Sequence, residues 1–242
     1  MAALLNTLAG YEKPVSLKKL AESTGLHAST AHRILATLAA IDFVERMGGG
    51  QYRLGVKLLQ LGSRVQNQID LRRDSLPVME VLRDRLGETV NLTVREGDEV
   101  VYIERVSGVR TMRVELVIGG RAPLHVTGVG KLFLAHEQPD GWRAYVDRSG
   151  LKPYTRNSIT NPQLLYRELG EVLALGYARD REETEEGVSC IAVPVKDSNG
   201  RIVAGLSISA PVDRLKESWI PDIQDAGARL SERLGYLRDH RL

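Results

Sequence analysis

Two sets of side chains in this 242-residue chain have types and spacings suited to recognition. In the first, Ser29, Thr30, His32, Arg33 and Thr37 share the polar side of a stretch whose other side is Ala31, Ile34, Leu35 and Leu38. Small hydroxyls at a helix start, followed by an arginine, suit base edges and phosphates in a DNA major groove. Lys18 and Lys19 stand upstream as phosphate contacts, and Arg46 and Arg53 flank Gly48-Gly49-Gly50, a turn whose tip can reach phosphate or the minor groove. In the second set, Ser207 and Ser209 alternate with Leu206, Ile208 and Ala210, which puts both hydroxyls on one face of a strand. Cys190 opens a neighbouring strand-like run, and Asp180 lies in the loop after Gly176-Tyr177. Gly128 and Val129 stand at a helix start, where free N–H groups and the helix dipole favour an anion.

The elements that must position the first set are compact. Ala2–Ala9 and Ser16–Thr24 read as short helices separated by Gly10 and Pro14, with Ser16 as N-cap of the second. Thr24-Gly25-Leu26 makes a tight turn into a third helix, His27–Ala40, whose apolar stripe has helical spacing. Phe43–Arg46 and Gln51–Leu54 are strand-like runs joined by the glycine turn, and a helical stretch, Val56–Ile69, leads out. Helix, helix, glycine turn, helix, glycine-tipped hairpin is the winged helix-turn-helix order.

After Pro77 the pattern changes. A helix runs to Leu86 and stops at Gly87, then Thr89–Arg95, Val100–Val106 and Thr111–Val117 alternate as strands. Gly128–His136 and Pro162–Leu175 read as helices, Cys190–Lys196 and Ile202–Ala210 as strands joined by Asp197-Ser198-Asn199-Gly200, and about Asp222–Leu237 as a last helix. This is an α+β body. The expected division is a DNA-binding domain over 1–55, a linker helix over 56–71, and a ligand-binding and oligomerising domain over 72–242.

Charge follows the same division. Residues up to Arg73 carry a net +5 and the remainder −3, although the whole chain is only +2. A basic head on a mildly acidic body points to a polyanion partner for the head. Apolar residues at 43% and charged residues at 26% exclude disorder and a collagenous chain. No apolar run approaches the ~18 residues of a membrane span, and MAALLNTLAGYEKP carries neither a basic region nor a cleavage site. The single cysteine excludes an intrachain disulfide and a Cys-based zinc finger, and a reducing, cytoplasmic setting follows.

The competing reading is a small-molecule hydrolase, because His125, Ser207 and Asp180 supply the residue types of a Ser-His-Asp triad. No Gly-x-Ser-x-Gly elbow accompanies them, the triple glycine lacks the Lys-Ser/Thr of a phosphate loop, and His27 and His32 are spaced wrongly for one helical face. No catalytic residue, metal or cofactor is therefore expected. Glu182, Glu183, Glu185 and Glu186 read as a solvated loop. A DNA binder blind to ligands would not need so large a body.

The motifs together are specific. Ser16-Leu17-x-x-Leu20-Ala21, Gly25-Leu26-x-x-Ser29-Thr30-x-His32-Arg33-Ile34-Leu35-x-x-Leu38 and Gln51-Tyr52-Arg53-Leu54-Gly55 resemble the IclR family of bacterial transcriptional regulators. So do Gly119-Gly120-Arg121-Ala122-Pro123-Leu124-His125, Gly130-Lys131, Gly187-Val188-x-Cys190-Ile191-Ala192-x-Pro194-Val195 and Leu206-Ser207-x-Ser209-x-Pro211 in the body. The resemblance spans nearly the whole chain. It implies a GAF-like effector-binding domain sensing a small, often carboxylated metabolite, and a repressor acting on double-stranded DNA at a pseudo-palindromic operator as a homodimer or dimer of dimers. Matching positions assign the effector cavity to Gly128, Val129, Asp180, Cys190, Ser207 and Ser209; Thr111 and Val114, on the preceding strand-like run, are looser candidates for an apolar wall. Two departures stand out. The first helix begins almost at Met1, where the family has a longer lead, and Lys19 occupies the position where an acid would complete a capping box.

Overall fold

A computed structural model of the chain describes residues 1–66 and 69–237, which divide into two compact units, Met1–Ile69 and Asp70–Leu242. In the first, α1 (Ala2–Ala9), β1 (Val15–Ser16), α2 (Leu17–Thr24) and α3 (Ala28–Ala40) precede a hairpin of β2 (Val44–Met47) and β3 (Gln51–Leu54), and α4 (Val56–Gln66) follows. Ser16 caps α2 by accepting from the Lys19 N–H, and Gly25 at φ 65° ends it in the left-handed conformation. That sharp end lets α3 cross back over α2. Leu4, Leu8, Leu20, Ala31, Leu35 and Leu38 close an apolar core to which Val44 and Tyr52 of the hairpin contribute. Ile34, counted with the apolar stripe, is only half-buried.

The second unit is built on a six-stranded antiparallel sheet in the order β6-β5-β4-β9-β8-β7. Its strands are β4 (Thr89–Glu96), β5 (Glu99–Val106), β6 (Arg121–Pro123), β7 (Ala178–Arg181), β8 (Val188–Lys196) and β9 (Ile202–Pro211). One face carries Val90, Leu92, Ile191, Val193, Leu206 and Ile208, all buried, and it packs on α5 (Leu71–Leu86) and α9 (Ile220–Arg233). The other face lies under α6 (Gly128–Ala135), against which α8 (Pro162–Leu175) packs. Gly205 makes this approach possible: a Cβ there would stand 2.4 Å from a Val129 methyl. Every residue of α6 is buried.

Several expectations from the sequence are corrected. Thr111–Val117 is not a strand. Three of its carbonyls accept from side chains in place of a strand ladder, Val114 O from Thr89, Leu116 O from Arg105 and Met112 O from Arg214. Asp180 lies not in a loop but in β7, a short charged edge strand paired with β8. α5 starts six residues before Pro77, with Asp70 as its cap accepting from the N–H groups of Arg72 and Arg73. β8 opens at Val188 rather than Cys190, and the last helix is Ile220–Arg233. The helix α7 (Pro139–Ser149) was not anticipated, although Pro139 in its first turn is an ordinary start signal. The stretch read as helical over Val56–Ile69 includes positions 67–68, and the body read over 72–242 includes 238–242; both segments lie outside the described residues. Among the described residues no helix is long and apolar enough to cross a membrane.

Candidate functional site

In the first unit α3 presents Ser29, His32, Arg33 and Thr37 to solvent, while Thr30 is half-buried. Ser29, Arg33 and Thr37 are four apart and so form one stripe. The Thr37 hydroxyl donates back to Arg33 O at 3.1 Å, which leaves Arg33 as the long-reaching group of that stripe. Lys18 is exposed at the start of α2, and Lys19 holds its ammonium 4.6 Å from the centre of the Tyr11 ring. In the hairpin Arg46 pairs across with Tyr52 and Arg53 with Glu45, so the two arginines project from opposite faces. Arg53 donates to Glu45 through Nε at 2.8 Å, and Arg46 is exposed. The turn between them does take the glycine conformation expected, with Gly49 at φ 71° and Gly50 at φ 70°.

In the second unit the strand register collects the other set. Across the α6 face of the sheet, Asp180, Cys190, Ser209 and Thr89 form one row, and Ala178, Ala192, Ser207, Asn91 and Arg105 the next. A third row holds Pro194, Gly205, Thr93 and Tyr102. Thr89, Asn91, Thr93, Ser207 and Ser209 are all buried in this face, whereas the opposite face of the same strands is apolar. Such a polar stripe inside a domain costs stability unless its groups are satisfied. Only some are. Asn91 Nδ2 donates to Ser209 Oγ at 3.1 Å, Cys190 Sγ lies 3.1 Å from the same oxygen, and Thr89 Oγ1 donates to Val114 O at 2.7 Å. Asn91 Oδ1 and Thr93 Oγ1 are enclosed without a partner among the described residues. The α6 N-terminus starts over Ala192, and Thr127 caps it by accepting from Gly130 N at 3.1 Å. The N–H groups of Gly128 and Val129 have no acceptor among the described residues. A helix N-terminus with free donors therefore packs on Ala192, next to Ser207 in the same row of the sheet.

Asp180 sits in the first row, but its oxygens are occupied: Oδ1 accepts from Glu183 N at 2.7 Å and Oδ2 from the Thr184 hydroxyl at 3.0 Å. Burial raises its pKa against those hydrogen bonds. Burial likewise pushes the Cys190 thiol up, assisted by Asp180, so it is held as the neutral thiol. Thr111 is exposed, and Val114 is half-buried with its carbonyl over Thr89, so of the two expected wall residues the structure brings only Val114 to the site.

Sequence reasoning missed the ionic group beside it. Glu183, read as part of a solvated loop, is 2% exposed. It accepts from the Lys131 ammonium at 2.6 Å, and Lys131, itself fully buried on α6, also donates to Glu168 at 3.0 Å. Burial raises Glu183, while at Glu168 the nearby Lys131 and Arg181 outweigh burial and hold the carboxyl below its usual range. A lysine in the otherwise apolar helix GVGKLFLA was the available signal. Asn91 and Tyr102 were missed as well.

No triad assembles. His125 Nδ1 lies 2.6 Å from the Tyr145 hydroxyl and Nε2 lies 3.0 Å from Lys152 O, so both ring nitrogens are engaged away from Ser207 and Asp180. Among the described residues, no group of three His, Cys, Asp or Glu side chains is placed to hold a metal ion.

Comparison with known proteins gives a consistent result. Residues 63–232 match the family model described as bacterial transcriptional regulator IclR C-terminal, and residues 1–48 match the IclR helix-turn-helix domain. The DNA-binding transcriptional repressor YiaJ of Escherichia coli (strain K12) is 33% identical over 241 residues, covering 96% of this chain and 86% of that one. Among solved structures, the Agrobacterium tumefaciens repressor BlcR superimposes with a TM-score of 0.82 at 29% identity, covering 97% of this chain and 95% of that one. An IclR homologue from Microbacterium hydrocarbonoxydans complexed with 4-hydroxybenzoate gives a TM-score of 0.63 at 26% identity, covering 96% of this chain and 98% of that one.

Proposed function

The chain belongs to the IclR family of bacterial transcriptional regulators, and from that premise we propose that it is a repressor whose DNA binding is set by a small carboxylated effector. It is a DNA-binding regulator and not an enzyme. The observation that carries the effector reading is the free N-terminus of α6 on Ala192, whose strand neighbours across β8 and β9 include the buried Ser207 and Ser209. The effector carboxylate sits against the N–H groups of Gly128 and Val129, and Ser207 and Ser209 donate to it. Cys190 Sγ beside Ser209 Oγ and the Val114 carbonyl beside Thr89 flank that site, and Asp180 holds Glu183 in place at its end. A relative bound to 4-hydroxybenzoate, itself an acid, supports this ligand class. A thermal-shift screen of small organic acids, followed by operator titration with each acid that raises the melting temperature, tests it. An operator affinity that no acid alters would remove the reading.

On the DNA side, Arg33 is the proposed base reader, with Ser29, Thr30, His32 and Thr37 beside it and Lys18, Lys19, Arg46 and Arg53 as phosphate contacts. Arg33→Ala should weaken operator binding by about 1–3 kcal/mol and relax preference at its base. Lys18→Ala should weaken binding to all sequences alike and flatten its salt dependence. Anisotropy titrations at several salt concentrations separate the two, and an Arg33→Ala variant with unaltered operator affinity would reassign the recognition helix.

One such helix reads half of an operator, so a two-fold assembly on a pseudo-palindrome in the cytoplasm is the proposed working state. Leu61 and Val65 of α4 support it: they lie four apart on one helix face and are 40% and 60% exposed. A Leu61→Glu, Val65→Glu variant should shift the full chain towards lower mass in sedimentation equilibrium. Unchanged mass would move the interface elsewhere and leave dimer against dimer of dimers to be read from the wild-type mass.

A further inference from the structure

On the α6 face of the sheet, the polar groups left without partners are not all of one kind. Asn91 is fully buried, and its amide is pinned because Nδ2 donates to Ser209 Oγ at 3.1 Å. That leaves Oδ1, an acceptor, facing no donor among the described residues. Tyr102 follows in the next row on the adjoining strand, diagonal to Asn91, and packs against the α6 side of the core. Its hydroxyl makes no hydrogen bond among the described residues. Burial raises its pKa, with Cys190 and Asp180 adding to the effect, so it stays a neutral O–H donor. An enclosed acceptor without a donor costs stability, and a ligand that donates to it recovers that cost.

A carboxylate cannot recover it. Both of its oxygens are acceptors at neutral pH, and they suit the N–H groups of α6 and the serine hydroxyls. Asn91 Oδ1 needs a donor, and the Tyr102 O–H is free to donate to an acceptor. A ligand hydroxyl is both at once. An ammonium would also donate to Asn91 Oδ1, but it has no lone pair with which to accept from the Tyr102 O–H.

We propose that the effector carries a hydroxyl besides its carboxylate, and that Asn91 and Tyr102 are the residues that read it. The ligand class is thus a hydroxy acid, not a plain or an amino acid. This deepens the carboxylate reading above and rests on it.

The test is calorimetry with matched acids on the full-length protein: lactate, propionate and alanine; 3-hydroxybutyrate and butyrate; gluconate and hexanoate. In at least one set the hydroxy acid should bind at least ~10-fold more tightly than its partners. Tyr102→Phe keeps the ring and its packing and should reduce that preference to about threefold or less while leaving the plain acid's affinity unchanged. Asn91→Ala should also reduce the preference, and because it releases Ser209 Oγ it should weaken plain acids as well; a native melting temperature for Tyr102→Phe guards against a folding artefact. Plain acids that bind as tightly as hydroxy acids would overturn the inference and leave the carboxylate reading standing. So would alanine matching lactate, or a preference that survives Tyr102→Phe. Binding of none of these acids would overturn both.

Discussion

A Lys131→Met variant should melt on the order of 10 °C below the wild-type chain, corresponding to about 3–5 kcal/mol lost from the C-terminal unit. The methionine fills nearly the same volume, so the effect does not come from a cavity. It comes from Glu183, which is 2% exposed and would be left charged with no cation. Its Oε2 already lacks a partner, so the ammonium at 2.6 Å is the main compensation for burying that carboxylate. Glu168 is less affected, because Arg181 Nη1 still donates to it at 3.1 Å.

The sign with pH follows from the same geometry. Glu183 is a carboxyl whose folded pKa is raised, so its ionisation costs folding stability as pH rises through the range between its unfolded and folded values. Removing Lys131 removes a cause that lowers that pKa and widens the range. Lowering the pH from neutral into the carboxylate range should therefore protonate Glu183 and narrow the gap between variant and wild type. The wild type itself loses the contribution of Glu168, whose folded pKa is lowered, over the same descent. A Lys131→Met, Glu183→Gln double variant should recover much of the loss at neutral pH. Scanning calorimetry over pH decides it. A single variant that melts with the wild type would mean that Glu183 is already neutral in the fold.

What the sequence discloses and what it hides differ between the two units for a physical reason. In the first unit the decisive signals are local. Ser16 caps within three residues, Gly25 ends a helix, and the stripe of Ala31, Leu35 and Leu38 closes a core whose members lie within about fifty residues. In the second unit the site depends on pairings far apart in the chain. Asn91 meets Ser209 across 118 residues, and nothing near either residue announces the other. The buried strands were legible as β-branched runs, but alternation alone misled at Thr111–Val117, where carbonyls accept from side chains in place of a strand ladder. The edge strand β7 was illegible because its residues, ARDR, carry the charges by which edges avoid further pairing. Glu183 looked like its solvated neighbours because burial is decided by Lys131, 52 positions away. The family resemblance supplied Gly128, Val129, Ser207 and Ser209. It did not supply Tyr102, which only the β4–β5 register brings to that face.

The same register changes how the switch should be tested. A metabolite alters DNA affinity only as far as it binds the DNA-competent and incompetent forms unequally. Removing one hydroxyl that donates to a charged ligand should cost about 1.5–3 kcal/mol, or roughly tenfold to more than a hundredfold in effector affinity. Replacing Ser207 and Ser209 together should therefore abolish the response at any practical effector concentration. Yet the two serines are not equivalent. Ser209 Oγ receives the Asn91 amide and lies 3.1 Å from Cys190 Sγ, so Ser209→Ala also strands a buried donor and should lower stability. Ser207 Oγ makes no hydrogen bond among the described residues, so Ser207→Ala deletes a ligand contact without unpairing anything in the protein. Ser207→Ala should keep wild-type operator affinity and melting temperature in the absence of effector. Its effector midpoint for the change in DNA binding should move by the same factor as its calorimetric Kd, because the two are linked. A Ser207→Ala protein that keeps both midpoint and Kd would place the effector away from this face of the sheet. A Kd that moves while the midpoint does not would mean that this pocket binds ligand without controlling DNA.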